Sequence, residues 1–352
     1  VRIGLVAPPW FEVPPTGHGG IETLVATLAR ELAQGGHEVT VATVRSSESG
    51  VRQWSHFETP QSEFLWGKNH AAIETIHAVE AYGAFSDDRV DVIHDHSGRV
   101  FLACALADRS RDIPVVHSVH GDPDATRLAL LRLAASRGIV LTAISHAQAR
   151  KMQGIDISGV IENGVECRPS FFNEAPDSYC AFVGRICPEK GLDVALDAAR
   201  DAEVPLTIAG RIDNTPIAAE FFQNEISPRL GAGATYVGEI GPAAKFELMR
   251  RARALLVPSR WSEPFGLVAI EALACGTPVI AFPSGGLAEI VEDGHNGFLV
   301  SSAGEMAVAI SRLTELRRED CRKVAVEKFS GSRMAARYVA TYEEAIESWA
   351  SR

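Results

Sequence analysis

The sequence predicts an α/β protein built from two doubly wound, Rossmann-like parallel sheets. Three observations carry this. At 352 residues the chain is too long for one ordinary hydrophobic core. Short β-branched runs alternate with helix-length stretches from end to end, and strands buried on both faces belong to parallel sheets covered by helices. The runs also fall into two sets, at 3–7, 39–43, 90–94, 115–119, 141–144 and 160–161, then at 180–183, 206–209, 235–237, 254–257, 279–281 and 297–300. Between the sets lies 167–176, with two prolines and no period, which reads as a linker. The expected domains are 1–170 and 176–332. A final helix at 333–352 carries Met334, Tyr338, Tyr342, Ile346 and Trp349 at helical spacing.

Composition narrows the function classes. Hydrophobic content of 46% and charged content of 22% are ordinary for a globular protein. A net charge of −11 argues against nucleic acid and against an anionic membrane surface as main partners. No apolar run reaches a spanning length. The opening V-R-I-G-L-V reads as a buried strand and lacks the regions of a signal peptide. Six cysteines without a C-x2-C pair, Cys180 and Cys187 being nearest, point to reduced thiols and a cytoplasmic location.

Taken in order, the first loop ends in His18-Gly19-Gly20-Ile21-Glu22 and opens an amphipathic helix (Leu24, Leu28, Leu32). It is not a dinucleotide fingerprint. The glycines stand about ten residues past the strand. The G-x-G-x-x-G spacing is absent, and the second strand runs into Arg45 where an acid would hold the ribose. A plain turn explains Gly-Gly equally well. His94 and His96 project to one face of their strand end, with Asp95 between them. Without a third well-spaced ligand they line a strand end and do not form a metal site. His120 follows the next strand at its carboxyl end, where ligands collect in open α/β sheets, while His117 reads as structural. Asp122-x-Asp124 reads as an acidic loop. Arg127, Arg132 and Arg137 are scattered around their helix, so no basic membrane-docking face forms.

In the second half, Gly184-Arg185 ends a strand and Glu189-Lys190-Gly191 starts a helix. Arg can fork onto a phosphate and Lys supplies a mobile charge; a surface ion pair is the competing reading. The stretch S-E-P-F-G-L-V-A-I-E-A-L then places Glu263 before a helix, Gly266 and Leu267 near its first turn, and Glu271 one turn after Leu267. Unpartnered first-turn amides and the helix dipole make an anion site. Gly266 is read as leaving room for a ligand. Glu271 lies among apolar neighbours and must be bonded, to a ligand diol or simply to a neighbouring strand or arginine. The pattern fits a phosphate between two carboxylates with a sugar at each end.

These strings resemble the E-x7-E signature of the retaining nucleotide-sugar glycosyltransferases of family 4. The resemblance extends over G-G-x-E, D-V-x-H-x-H, His120, G-R-x-x-x-E-K-G and P-S-G-G-L-A-E, nearly the whole chain. It implies the GT-B fold, two Rossmann-like domains facing a cleft, with the last helix crossing back onto the first domain. It also implies metal-independent transfer of a sugar from a nucleoside-diphosphate sugar, with no cofactor and uridine diphosphate as the favoured nucleotide. Residue by residue, Glu271 would hold the ribose and Glu263 hydroxyls of the transferred sugar. Arg185, Lys190 and the amides of Phe265, Gly266 and Leu267 would hold the diphosphate. Gly19 and Gly20 would face it from the first domain, Ile240 would meet the base through its backbone, and His120 would contact the sugar. The expected acceptor is a soluble small molecule or oligosaccharide, as in bacterial natural-product assembly. A nucleotide-sugar epimerase of the same fold and a two-domain sugar-binding protein are the competing classes.

Overall fold

The computed structural model describes residues 1–44, 51–65, 67–98, 113–231 and 233–351; Arg45 lies outside them. The chain divides into unit 1, Val1–Gly164 with Gly331–Arg352, and unit 2, Val165–Ser330.

Unit 1 holds a seven-stranded sheet of β1 (Arg2–Val6), β2 (Glu38–Ala42), β3 (Arg52–Trp54), β4 (Val92–Asp95), β5 (Val115–Val119), β6 (Val140–Ala143) and β7 (Gly159–Val160). Its order is β3-β2-β1-β4-β5-β6-β7 and every pairing is parallel. Strand β3 was not expected. Its Arg-Gln-Trp sequence forms a half-buried edge with no apolar alternation to read. Side-chain alternation sorts the core. Ile3 and Leu5 pack with the helix Gly20–Gln34 and the last helix, Gly331–Ala350. Val6 faces the other side, with Tyr82 and Phe85 of the helix His70–Asp87 and Leu131 of the helix Ala125–Ser136.

The last helix is fixed by more than apolar burial. Met334, Tyr338 and Tyr342 are buried, whereas Ile346 and Trp349 are part-exposed. The Tyr342 hydroxyl lies 2.7 Å from His94 Nδ1. Ser118 Oγ lies 2.8 Å from His94 Nε2, 2.6 Å from the Tyr338 hydroxyl and 3.0 Å from Thr142 Oγ1. A buried network of this kind is sound only when every member is paired, because each orphan costs about 1–3 kcal/mol.

Unit 2 holds a six-stranded sheet of β8 (Cys180–Val183), β9 (Leu206–Ala209), β10 (Ala234–Tyr236), β11 (Leu255–Val257), β12 (Val279–Ala281) and β13 (Gly297–Leu299). Its order is β10-β9-β8-β11-β12-β13, again all parallel. Both sheets therefore reverse strand order beside their first strand, which leaves a crevice at the carboxyl ends where open α/β sheets take ligands.

The proline-bearing segment at 167–176 is part of unit 2. Phe171 stacks on Phe246 with ring centroids 4.1 Å apart. Arg322 lies over Phe172, and Arg318 Nε donates to the Asn173 carbonyl at 2.6 Å. Two phenylalanines with no helical or strand period gave no sign of this packing. The thiols of Cys180 and Cys187 are buried and pushed up to about 12 and 11, which makes them inert. Among the described residues no helix is long and apolar enough to cross a membrane.

Candidate active site

In unit 2 the loops that follow β8 and β11 emerge side by side, because those strands are neighbours at the reversal. Gly191 seals the contact between them. It sits in the left-handed region at φ 71°, and a Cβ there would come within 2.1 Å of the Pro258 carbonyl oxygen. The touching loops deliver Lys190 to Glu263. The Lys190 ammonium and the Ser259 hydroxyl, the latter at 2.8 Å, both bond Oε1 of Glu263. Among the described residues no bond is made to Oε2. The Lys190 ammonium also lies 5.2 Å from the centre of the Trp261 ring, within cation–π range. The loop carrying Glu263 is braced from the segment at 283–286. Gly286 N–H donates to the Glu263 carbonyl at 2.8 Å, and Ser284 Oγ bonds the Trp261 carbonyl.

Beyond Glu263 the helix Leu267–Ala274 begins. Its run of Leu, Ala, Ile and Glu suits a helix, and Ala269 to Ala274 are all buried. Gly266, at φ 123°, caps it. The space left by its missing side chain is not open to a ligand. A Cβ there would meet Leu287 Cδ2 at 2.7 Å and Ile290 Cδ1 at 3.3 Å, so close packing and backbone conformation require this glycine. That corrects the reading of Gly266 as ligand space; its amide, with those of Phe265 and Leu267, remains at the helix start.

Glu271 is buried and its Oε1 accepts from Lys245 Nζ at 2.6 Å. Lys245 comes from the helix Pro242–Arg251, which packs beside the helix of Glu271. Arg185 pairs with Asp213, a contact set up by the bridge between Ile186 and Ile212 that joins the loops after β8 and β9. Each cation expected to serve a phosphate thus carries a carboxylate partner, and so does Lys245. The three pairs sum to zero charge. Ile240 is part-buried in the loop after β10, beyond Gly238, whose carbonyl accepts from Gly210 N–H at 2.8 Å.

In unit 1, Gly19 caps the helix Gly20–Gln34, and its carbonyl accepts from the Thr23 amide at 2.9 Å and hydroxyl at 2.7 Å. Glu22, in the first turn, is buried, and burial lifts its carboxyl to about 8. His96 and His120 follow the adjacent strands β4 and β5, with His96 Nδ1 2.9 Å from His120 Nε2. Burial, reinforced by the Arg127 guanidinium, lowers His120 to about 3. His94, His96 and His117 are held well below the ordinary imidazole value by burial, with His120 adding to the effect on all three and Arg127 to that on His117. The cluster is therefore neutral at pH 7. The acidic loop has ordinary partners. Asp122 takes both its bonds from Lys151, at 2.7 and 2.8 Å, and Asp124 caps the helix Ala125–Ser136.

Sequence reasoning missed Asp213, Lys245 and Ser259, and gave Glu22 no role beyond its place in the G-G-x-E string. Ser259 had a usable signal, lying four residues before Glu263. Asp213 and Lys245 sit on other elements, where spacing carries no information.

Known proteins agree with this architecture. A model described as "Glycosyl transferases group 1" matches residues 168–328, and one described as "Glycosyltransferase Family 4" matches residues 18–168. D-inositol 3-phosphate glycosyltransferase 2 of Catenulispora acidiphila is 30% identical over 95% of this chain and 92% of its own. The crystal structure of AviGT4, a glycosyltransferase involved in avilamycin A biosynthesis, is 26% identical with a TM-score of 0.73, covering 99% of this chain and 98% of its own. HepE of Anabaena, solved in complex with UDP-glucose, is 20% identical with a TM-score of 0.74 over 97% of this chain and 99% of its own, and speaks for the fold. Two parallel-sheet units, the matching family models and a relative alignable over almost its full length lead to one conclusion: the chain belongs to the group 1/family 4 glycosyltransferases of the GT-B fold.

Proposed function

We propose that this glycosyltransferase moves a sugar from a nucleoside-diphosphate sugar to an acceptor hydroxyl with retention of configuration and without a metal. The observation that carries the reading is the juxtaposition of Lys190, Ser259 and Glu263 ahead of the helix that bears Glu271. Glu263 offers its second oxygen to sugar hydroxyls, and Glu271 offers its own to the ribose diol. Arg185, Lys190 and the amides of Phe265, Gly266 and Leu267 take the diphosphate. Because Arg185 and Lys190 are already paired with Asp213 and Glu263, they share their charge with the incoming phosphates. Ile240 serves the base. Gly19, Gly20 and His120 of unit 1 serve the phosphate and the sugar. The bond from the anomeric carbon to the phosphate oxygen breaks as the acceptor oxygen adds on the same face, and the departing phosphate takes the acceptor's proton. Electrostatic stabilisation of that leaving group is the main catalytic term.

Uridine diphosphate is the nucleotide we favour, in keeping with UDP-glucose bound to HepE. A soluble polar acceptor is in keeping with the inositol phosphate in the name of the Catenulispora relative. We place the enzyme in a cytoplasmic pathway such as natural-product assembly, the process named for AviGT4. The test is a thermal-shift screen of nucleoside diphosphates and their sugars, followed by product analysis with and without acceptors. Ligand should raise the melting point by mass action. Arg185→Ala and Lys190→Ala should each add about 2–4 kcal/mol to the barrier of transfer, measured at a temperature where both variants remain folded. Near-normal turnover in both variants, loss of activity in chelator, or epimerised donor without acceptor would overturn the reading.

A further inference from the structure

We propose that His96 is a positioning residue that fixes the proton of His120 on Nδ1, so that neutral His120 presents an N–H donor at the carboxyl end of β5. Its consequence for sugar binding rests on the assignment of His120 made above; the proton placement itself does not.

His96 is fully buried just past β4, held by its own N–H to the Val6 carbonyl at 2.9 Å. Its Nδ1 lies 2.9 Å from His120 Nε2, and the two ring planes are inclined by only 18°. Two neutral rings meeting through these nitrogens share one proton between them. If His120 donated it, the single hydrogen of His96 would sit on Nε2. That atom is buried and has no hydrogen-bond partner among the described residues. A buried N–H with no acceptor is the rarer and costlier defect, whereas a bare ring nitrogen is an under-used acceptor, which folded proteins tolerate better. Double protonation of His96 is opposed by burial and by His94, His117 and His120 around it, with Arg127 close to His120. His96 therefore donates from Nδ1, His120 accepts at Nε2, and the one remaining hydrogen of His120 stands on Nδ1. His120 is the more exposed of the two, so that N–H is the one offered outward.

The test uses the ligand-free full chain labelled with 15N-histidine, the His120 signals being assigned by their loss in His120→Ala. Wild type should show His120 with a protonated Nδ1 and a bare Nε2. His96→Asn puts an amide N–H where the Nδ1–H was and should keep that pattern. His96→Leu should release His120 into the mixed tautomers of a free imidazole. Protonation of His120 at Nε2 in wild type, or an unchanged His120 in His96→Leu, overturns the proposal, and the wild-type measurement stands even if His96→Leu fails to fold. A second arm compares affinities for UDP and UDP-glucose. Loss of one neutral hydrogen bond predicts that His120→Ala and His96→Leu each cut the preference for UDP-glucose by about tenfold, with His96→Asn near wild type. If the Asn variant matches the Leu variant, positioning by His96 is refuted. If His120→Ala leaves the preference unchanged, the placement of His120 at the sugar fails, and the tautomer data decide the role of His96 separately.

Discussion

Replacing Lys245 by methionine removes the ammonium beside Glu271 and keeps most of the aliphatic stem. The Glu271 side chain is only 8% exposed and that of Lys245 21%, so the pair is neither a surface bridge nor sealed from water. Breaking a fully buried pair from one side costs about 3–5 kcal/mol, and an exposed one about 0–1. The geometry here, one short bond at 2.6 Å to a closed-off carboxylate, places the cost at about 2–3 kcal/mol. In a unit of this size that lowers the melting temperature by about 4–12 °C. Glu271→Gln in the same background removes the stranded charge and should recover most of the loss, giving a coupling of about 1.5–2.5 kcal/mol in the double-mutant cycle. Scanning calorimetry of the four proteins at pH 7 measures it. A Lys245→Met protein melting within a degree of wild type, or strictly additive single effects, would show that Glu271 does not depend on Lys245.

Tyr342→Phe should cost about 1–2 kcal/mol by stripping His94 Nδ1 of its 2.7 Å partner, read as a lower melting point with unchanged secondary structure by circular dichroism. Glu22 binds its proton more tightly folded, at about 8, than at its ordinary 4.5, so its contribution is intact below pH 4.5 and is lost as pH rises to about 8. Glu22→Gln should therefore match wild type in melting point below pH 4.5 and gain on it up to pH 8, by about 3–5 kcal/mol at the top of that window; a gain independent of pH would refute the buried carboxyl. Ser259→Ala removes a 2.8 Å donor from Glu263 Oε1 and should weaken UDP-glucose binding about five- to tenfold by calorimetric titration while leaving UDP binding unaltered.

Strand positions were legible because β-branched runs such as Val115–Val119 need no partner to be recognised, and parallel pairing follows from their burial on both faces. The edge strand Arg52–Trp54 was not, because it borrows its conformation from the backbone of β2. The same division runs through the site. Glu263, Glu271, Arg185 and Lys190 stood out from local strings, whereas Asp213 and Lys245 reach them from separate elements. Gly266 shows how one residue type answers two needs: a ligand approaching the backbone and a leucine packing on it look identical in sequence. Here Leu287 occupies the space.

The placement of Gly331–Ala350 within unit 1 sets a schedule for biosynthesis. When the ribosome has emitted everything through Ser330, the entire second sheet has been translated, yet the first still lacks Met334, Tyr338 and Tyr342. Until those arrive, the imidazole of His94 and the hydroxyl of Ser118 have lost their tyrosine partners, and the apolar face around Leu5 and Leu28 is uncovered. The half made first must therefore finish last. A message stopped after Ser330 would yield a protein with its second unit complete and its first left for chaperones and proteases to recognise.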